Sequence, residues 1–166
     1  MQIIADLHTH TNVTDHAFST LTEMVQAAED RGLAAIAITN HGPTNPDGPH
    51  EWHFSNLDLI PRKIGKVTVI RGIEFDITAP AGGINVISNK SLKPIEFALA
   101  SFHECMFPPV DSDSHICYRV GHVEGALEML EEIGFPEELI INSSVERLNN
   151  YFKGRGLHLF DEEDLL

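Results

Sequence analysis

The sequence predicts an α/β fold built on a small, mainly parallel sheet. Two observations carry that prediction: short runs rich in Ile, Val and Ala that each end in His, Glu or Asp, and capped amphipathic stretches that alternate with them. With 166 residues, 42% apolar and 22% charged, the chain suits one core, so a single domain over 1–166 is expected.

The opening IIADLHTH reads as a short buried strand with histidines at its polar end, the end at which strand-helix folds place their functional residues. A helix follows: Thr20 and Glu23 form a capping box, Leu21, Met24, Val25 and Ala28 make one apolar stripe, and Gly32 sits at the stop. The run 33–39 is the next strand and ends in Asn40-His41-Gly42-Pro43. Beyond it, 50–54 reads as a loop, either a lid over a substrate or a surface segment whose Trp52 packs on the domain. Val and Ile over 66–77 predict a strand presenting Glu74, and Gly82 and Gly83 mark a hairpin turn into 84–87. One more strand is expected over 97–103, with His103 at its end. Helices follow over 121–133, stopped by Gly134, and after a capping box of Ser143 and Glu146, stopped by Gly154. Residues 158–166 form an acidic tail.

A formal charge of -14 disfavours nucleic-acid binding, which depends on Lys and Arg neutralising phosphates. An acidic chain acting on an anionic substrate needs a local positive site, and bound metal ions make one. The start MQIIADLHTH lacks a basic region followed by an apolar one, and no run nears the roughly 18 apolar residues of a membrane span, so a cytoplasmic location without membrane contact is expected. Cys105 and Cys117 read as buried reduced thiols.

His8 and His10 are separated by one residue, so on a strand both point to one face and can chelate one ion. His41, Glu74 and His103 each close an apolar run, and Asp113 with His115 repeats the alternate spacing. A carboxylate such as Glu74 can bridge two cations. Nitrogen and oxygen donors without a required thiolate suit zinc, manganese or iron. Asp6 is a candidate to orient a ligand histidine. Arg62, Arg71 and Arg119 are the cations available to meet phosphate, none singled out by its context.

Together DLHTHT, the TNHG turn, GIE, FHE and SDSH resemble the polymerase and histidinol phosphatase (PHP) superfamily. The likeness is strongest to its small stand-alone bacterial phosphatases, through PHEWHFSNLDLIPR, IGFPEELIINSSVERL and GRG. It runs in two blocks, 1–108 and 111–157. The resemblance implies a distorted (β/α) barrel and three metal positions: one from His8, His10, Glu74 and Asp113, one from Glu74 and His103, and one from His16, His41 and His115. It implies two or three divalent ions per chain, zinc foremost, and hydrolysis of a small phosphate monoester by hydroxide, with His8, His10, Glu74 and Asp113 as the catalytic group.

The chain departs from that family pattern at one place. Family members carry several further strand-helix units, with another histidine ligand, between FHE and SDSH, whereas here only 105–112 joins them. Eight residues cannot replace βαβ units of roughly 30 residues each. The expected barrel is therefore shortened and open, with its second metal position short of a ligand. Cys105 and His122 are better read as packed or solvated than as substitutes. Lost strands expose edges, so a homo-oligomer covering the gap or marginal stability is expected. The alternative reading is a shortened metal-binding domain with weak or no turnover.

Overall fold

The computed structural model describes residues 2–79, 83–84, 87–101 and 111–160. Gly82, His103, Cys105 and the end of the tail, 161–166, lie outside the described residues.

Parallel pairing sets the frame of the molecule. β1 (Ala5–Asp6), β2 (Ala35–Ile38) and β4 (Val67–Ala79) lie side by side, Ala5 opposite Ala35 and Ile36 opposite Val69. β6 (Phe97–Ser101) runs parallel along the other edge of β4, where Glu74 faces Leu99 while bridging to His41 on its β2 side. β3 (Lys63–Ile64) and β5 (Gly83–Ile84) add antiparallel pairs at the two ends of β4. The curled sheet makes a half-barrel with helices around it, the open α/β architecture expected.

β2 is buried on both faces, as strands of parallel sheets generally are. Ile36 and Ile38 meet Met24, Val25 and Ala28 of α1 (Leu21–Asp30), together with Val67 and Val69. Ala35 and Ala37 meet Leu148 and Phe152 of α5 (Val145–Lys153). At about 1.5–3 kcal/mol for each large apolar side chain taken from water, these two layers hold the sheet between them. The Thr20 and Glu23 capping box forms as expected, and Gly32 just past the helix adopts φ 72°, which a side chain would strain. α4 (Glu124–Glu132) packs through Val123, Leu127 and Leu130 onto Ile3 and Ile140. The packed chain extends to Leu159 and Phe160, which join the core beside β1.

Three local expectations change. Residues 50–54 are not a loop: α2 (Glu51–Ser55) forms because His50 Nδ1 accepts from the Trp52 amide at its N-terminus and Phe54 is buried against Ile73 and Phe75. Trp52 does not pack on the domain, being 74% exposed. The second capping box is absent. Ser143 spends its hydroxyl on the Ile140 carbonyl (2.9 Å), so the cap shifts to Ser144, whose Oγ accepts from the Arg147 amide (3.2 Å). A short α3 (Asn89–Leu92), capped by Ser88, lies between β5 and β6. No helix among the described residues is long and apolar enough to cross a membrane.

Candidate metal centre

The histidines and carboxylates expected to act together converge at the carboxyl ends of the parallel strands. Regular pairing of β1 stops at Asp6, and side chains carry the chain onward. Thr9 donates its hydroxyl to the Ala37 carbonyl (2.6 Å), while its amide donates to Thr39 Oγ1 (3.1 Å). That anchors His8 and His10 on either side. Asn40 Oδ1 accepts from the Thr11 amide (2.7 Å), fixing the turn that leads to His16. Ser114 bridges in parallel to Thr9, its carbonyl accepting from the His10 amide (2.8 Å), which brings Asp113 and His115 to the same place.

Asp6 holds His8 through the backbone, its Oδ1 accepting from the His8 amide (3.4 Å), and it has further partners. Its carboxylate accepts from the amides of Ser112 (3.2 Å) and Gly121 (2.7 Å) and from the Ser112 hydroxyl, so it fastens the Asp113 segment to β1. Burial raises its carboxyl above the usual range, and the hydrogen bonds offset only part of that rise. Asp113 itself has φ 45°, a left-handed conformation that Asp tolerates better than most residues, and the strain falls on a site residue.

The first group is tight. His8 Nε2 lies 3.1 Å from Glu74 Oε1 and 3.3 Å from Asp113 Oδ1, and His10 Nε2 lies 3.4 Å from Glu74 Oε2 and 3.3 Å from the same Asp113 oxygen. Two donors at roughly 2.0–2.1 Å from one tetrahedral ion stand about 3.3–3.4 Å apart, and His8, His10 and Asp113 offer atoms within 4.8 Å of one another, so this group suits a divalent cation, with Glu74 beside it. Neither ring nitrogen of His8 or His10 has an aligned hydrogen-bond partner among the described residues. Such buried orphans are costly unless something else satisfies them.

A second group adjoins the first. The His115 ring stacks on both His10 and His16 at 4.2 Å, and His41 lies 4.4 Å from His10 and 5.4 Å from His16. His41 Nδ1 also reaches Glu74 Oε2 at 2.9 Å. Glu74 therefore stands between His8, His10 and His41, the place a bridging carboxylate requires.

Charge follows from this geometry. Burial opposes protonation of His8, but the carboxylates of Asp111 and Glu74 outweigh it and raise the imidazole to about 10. Burial lowers His10 to about 4 despite Asp113, with His115, His41 and His8 adding to the effect. Burial would raise Glu74, yet His41 and His8 hold it well below the ordinary range, and the histidines around Asp113 lower that group as well.

Of the expected site residues, His8, His10, His16, His41, Glu74, Asp113 and His115 come together, and His103 lies outside the described residues. Two members were missed. Asp47 contacts His16 Nδ1 through Oδ2, which lies 3.9 Å from His41 Nε2. The loop bearing it folds back so closely that a Cβ at Gly48 would overlap the Gly42 carbonyl, and Asn45 pins the loop to Asp76 (2.9 Å). Nothing in its Pro- and Asn-rich context separates Asp47 from a solvated turn residue. Asp111, 3.5 Å from His8 Nδ1, extends the alternate spacing of Asp113 and His115, a signal that was legible. The arginines do not serve this site as far as their contacts show: Arg62 is paired with Glu96, Arg71 donates to the Ile60 carbonyl, and Arg119 is on the surface. His122 contacts Arg31 and Glu124 instead of the cluster.

The family model described as the PHP domain matches residues 6–155. A protein of Shewanella sediminis named a probable phosphatase is 38% identical over 137 residues, covering 82% of this chain and 55% of that relative. Probable phosphatases of Caldanaerobacter subterraneus and Shewanella frigidimarina are 28% and 27% identical over alignments of 235 and 247 positions, covering 92% and 100% of this chain. Those alignments exceed the chain's own length, so stretches of both relatives have no counterpart here. Measured by the first of these matches, the chain spans about half the length of the curated relatives it matches.

Proposed function

The chain belongs to the PHP domain family, and from that premise we propose that it is a divalent-metal-dependent phosphatase acting on small phosphate monoesters. The observation that carries the reading is the convergence of His8, His10, Glu74 and Asp113 at 3.1–3.4 Å spacings on the carboxyl ends of parallel strands. Zinc is the first candidate for this donor set, with manganese or iron as substitutes.

His8, His10, Glu74 and Asp113 would hold one cation, and His16, His41 and His115, with Asp47 beside them, would hold another. Divalent ions there supply charge that neutralises a phosphate and lowers the pKa of water from 15.7 towards about 7. Glu74 couples the two groups through its contacts to His8, His10 and His41. The Thr9, Asn40 and Asp6 hydrogen bonds hold the donors in place, so little reorganisation accompanies substrate binding. The net acidic chain favours a small substrate over nucleic acid. A cytoplasmic setting and assembly with a second copy over the open side belong to the same proposal.

Release of inorganic phosphate from an aryl phosphate by zinc- or manganese-loaded protein tests the reading. Activity no higher than that of His41→Ala or Asp113→Ala protein would refute it. The short span relative to the Shewanella relative favours one second reading, a metal-binding domain with little turnover. Ions bound stoichiometrically without phosphate release would select it.

A further inference from the structure

Asp111 stands near the end of the short join that sets this chain apart, two residues before Asp113. Its side chain is 4% exposed, and its Oδ1 has no aligned hydrogen-bond partner among the described residues. The residue also lines a cavity of about 250 Å³ whose walls include Leu7, Phe97 and Leu99. A carboxylate against an apolar wall is costly unless it is paired. The candidate partner is His8: Oδ1 lies 3.5 Å from Nδ1, while Nε2 of the same ring faces Glu74 and Asp113. The two nitrogens of an imidazole point in widely divergent directions, so Asp111 sits behind the ring with respect to an ion at Nε2.

We propose that Asp111 is a positioning residue that accepts the Nδ1–H of His8 and so fixes the tautomer whose Nε2 lone pair faces the cation. Carboxylates behind ligating histidines set ring orientation and strengthen the donor. The inference rests on the reading that His8, His10, Glu74 and Asp113 hold a divalent ion.

Zinc affinity of the full chain, measured by chelator competition, tests it together with the nitrogen-15 spectrum of the histidines. Asp111→Ala is expected to weaken zinc binding by roughly 10- to 100-fold at unchanged stoichiometry. Asp111→Asn keeps an accepting oxygen and recovers part of that loss, and the zinc-loaded wild type shows His8 protonated at Nδ1. If Asp111→Ala does not fold, the near-isosteric Asp111→Asn still decides, because its His8 must keep the Nδ1-protonated signature. Zinc affinity within twofold of wild type in Asp111→Ala, no recovery in Asp111→Asn, or loss of one bound ion per chain would each overturn positioning by Asp111. Wild-type protein that binds no zinc would overturn the metal site and this inference together, whereas intact wild-type binding with an indifferent Asp111→Ala overturns the inference alone.

Discussion

The two sides of the half-barrel feed one cluster but are built differently. On the β1–β2–β4 side, every residue of β2 is buried, with α1 on one face and α5 on the other. On the β6 side, burial alternates between half-buried and exposed, and no described residue pairs with the outer edge. The Asp113 segment, which lies beyond β1 at the opposite end of the sheet, is held in place by Thr9 and Asp6. The contrast teaches that a site at strand ends needs cross-links between those ends more than it needs a closed barrel.

Glu74 tests the contrast hardest, because it lies on the closed side and touches both histidine groups. Its replacement by Ala is expected to lower phosphate release of metal-loaded protein by roughly 10³-fold or more, about 4 kcal/mol at the transition state. Asp113→Ala, in the segment beside β1, should match it within about tenfold if the cross-links to Thr9 and Asp6 hold that segment as firmly. A much milder Asp113 effect would mean that this segment is loosely placed despite its cross-links. Removing the ions with a chelator should abolish turnover in both the wild type and the Asp113 variant.

Packing gives the next test. Ile36→Ala, in the layer between β2 and α1, is expected to cost about 2–4 kcal/mol in urea unfolding, the range for deleting a fully enclosed aliphatic side chain. Leu99→Ala on β6 should cost less than about 1 kcal/mol, because that side chain is only partly buried. Equal losses would show that the open side is covered in solution and would end the distinction.

How much of this was legible beforehand follows the same division. Strand ends carrying His8, His10 and His41, and the apolar run that presents Glu74, are readable because they are local patterns. α1 was readable because Thr20, Glu23 and Gly32 state both its ends. Asp47 was not, since its role comes from a loop that folds back on Gly42 and no local signal announces that contact. Asp6 does meet His8, through its amide, but its other partners are Ser112 and Gly121, more than 100 residues away in the chain, which no local pattern announces. The shift of the α5 cap from Ser143 to Ser144 turned on which of two adjacent hydroxyls the Ile140 carbonyl captured, a choice that sequence alone leaves open.

Asp6 ranks below the packing layer in expected effect. Asp6→Asn retains shape but sets an amide group against donors from Ser112 and Gly121, so a loss of about 1–3 kcal/mol is expected. In a chain of this size that lowers the unfolding midpoint by roughly 2–12 °C. Zinc affinity should fall along with it, since the same bonds seat Asp113. A variant with a lower midpoint and unchanged affinity would separate the fastening of the segment from the geometry of the site.

The smallest expected effect on stability is at the edge itself. Ala98 is exposed on β6, and a lysine there opposes strand pairing with another molecule while removing no buried contact. If a second copy covers the open side, light scattering should show wild-type protein at a multiple of 18.4 kDa and Ala98→Lys protein at the monomer mass. The unfolding free energy of the dissociated chain should change by no more than about 0.5 kcal/mol, as for a surface substitution. A wild type that stays monomeric at high concentration with a high melting temperature would show that the half-barrel tolerates its open side unaided. The cross-links at the strand ends would then have to account for the order of the cluster by themselves.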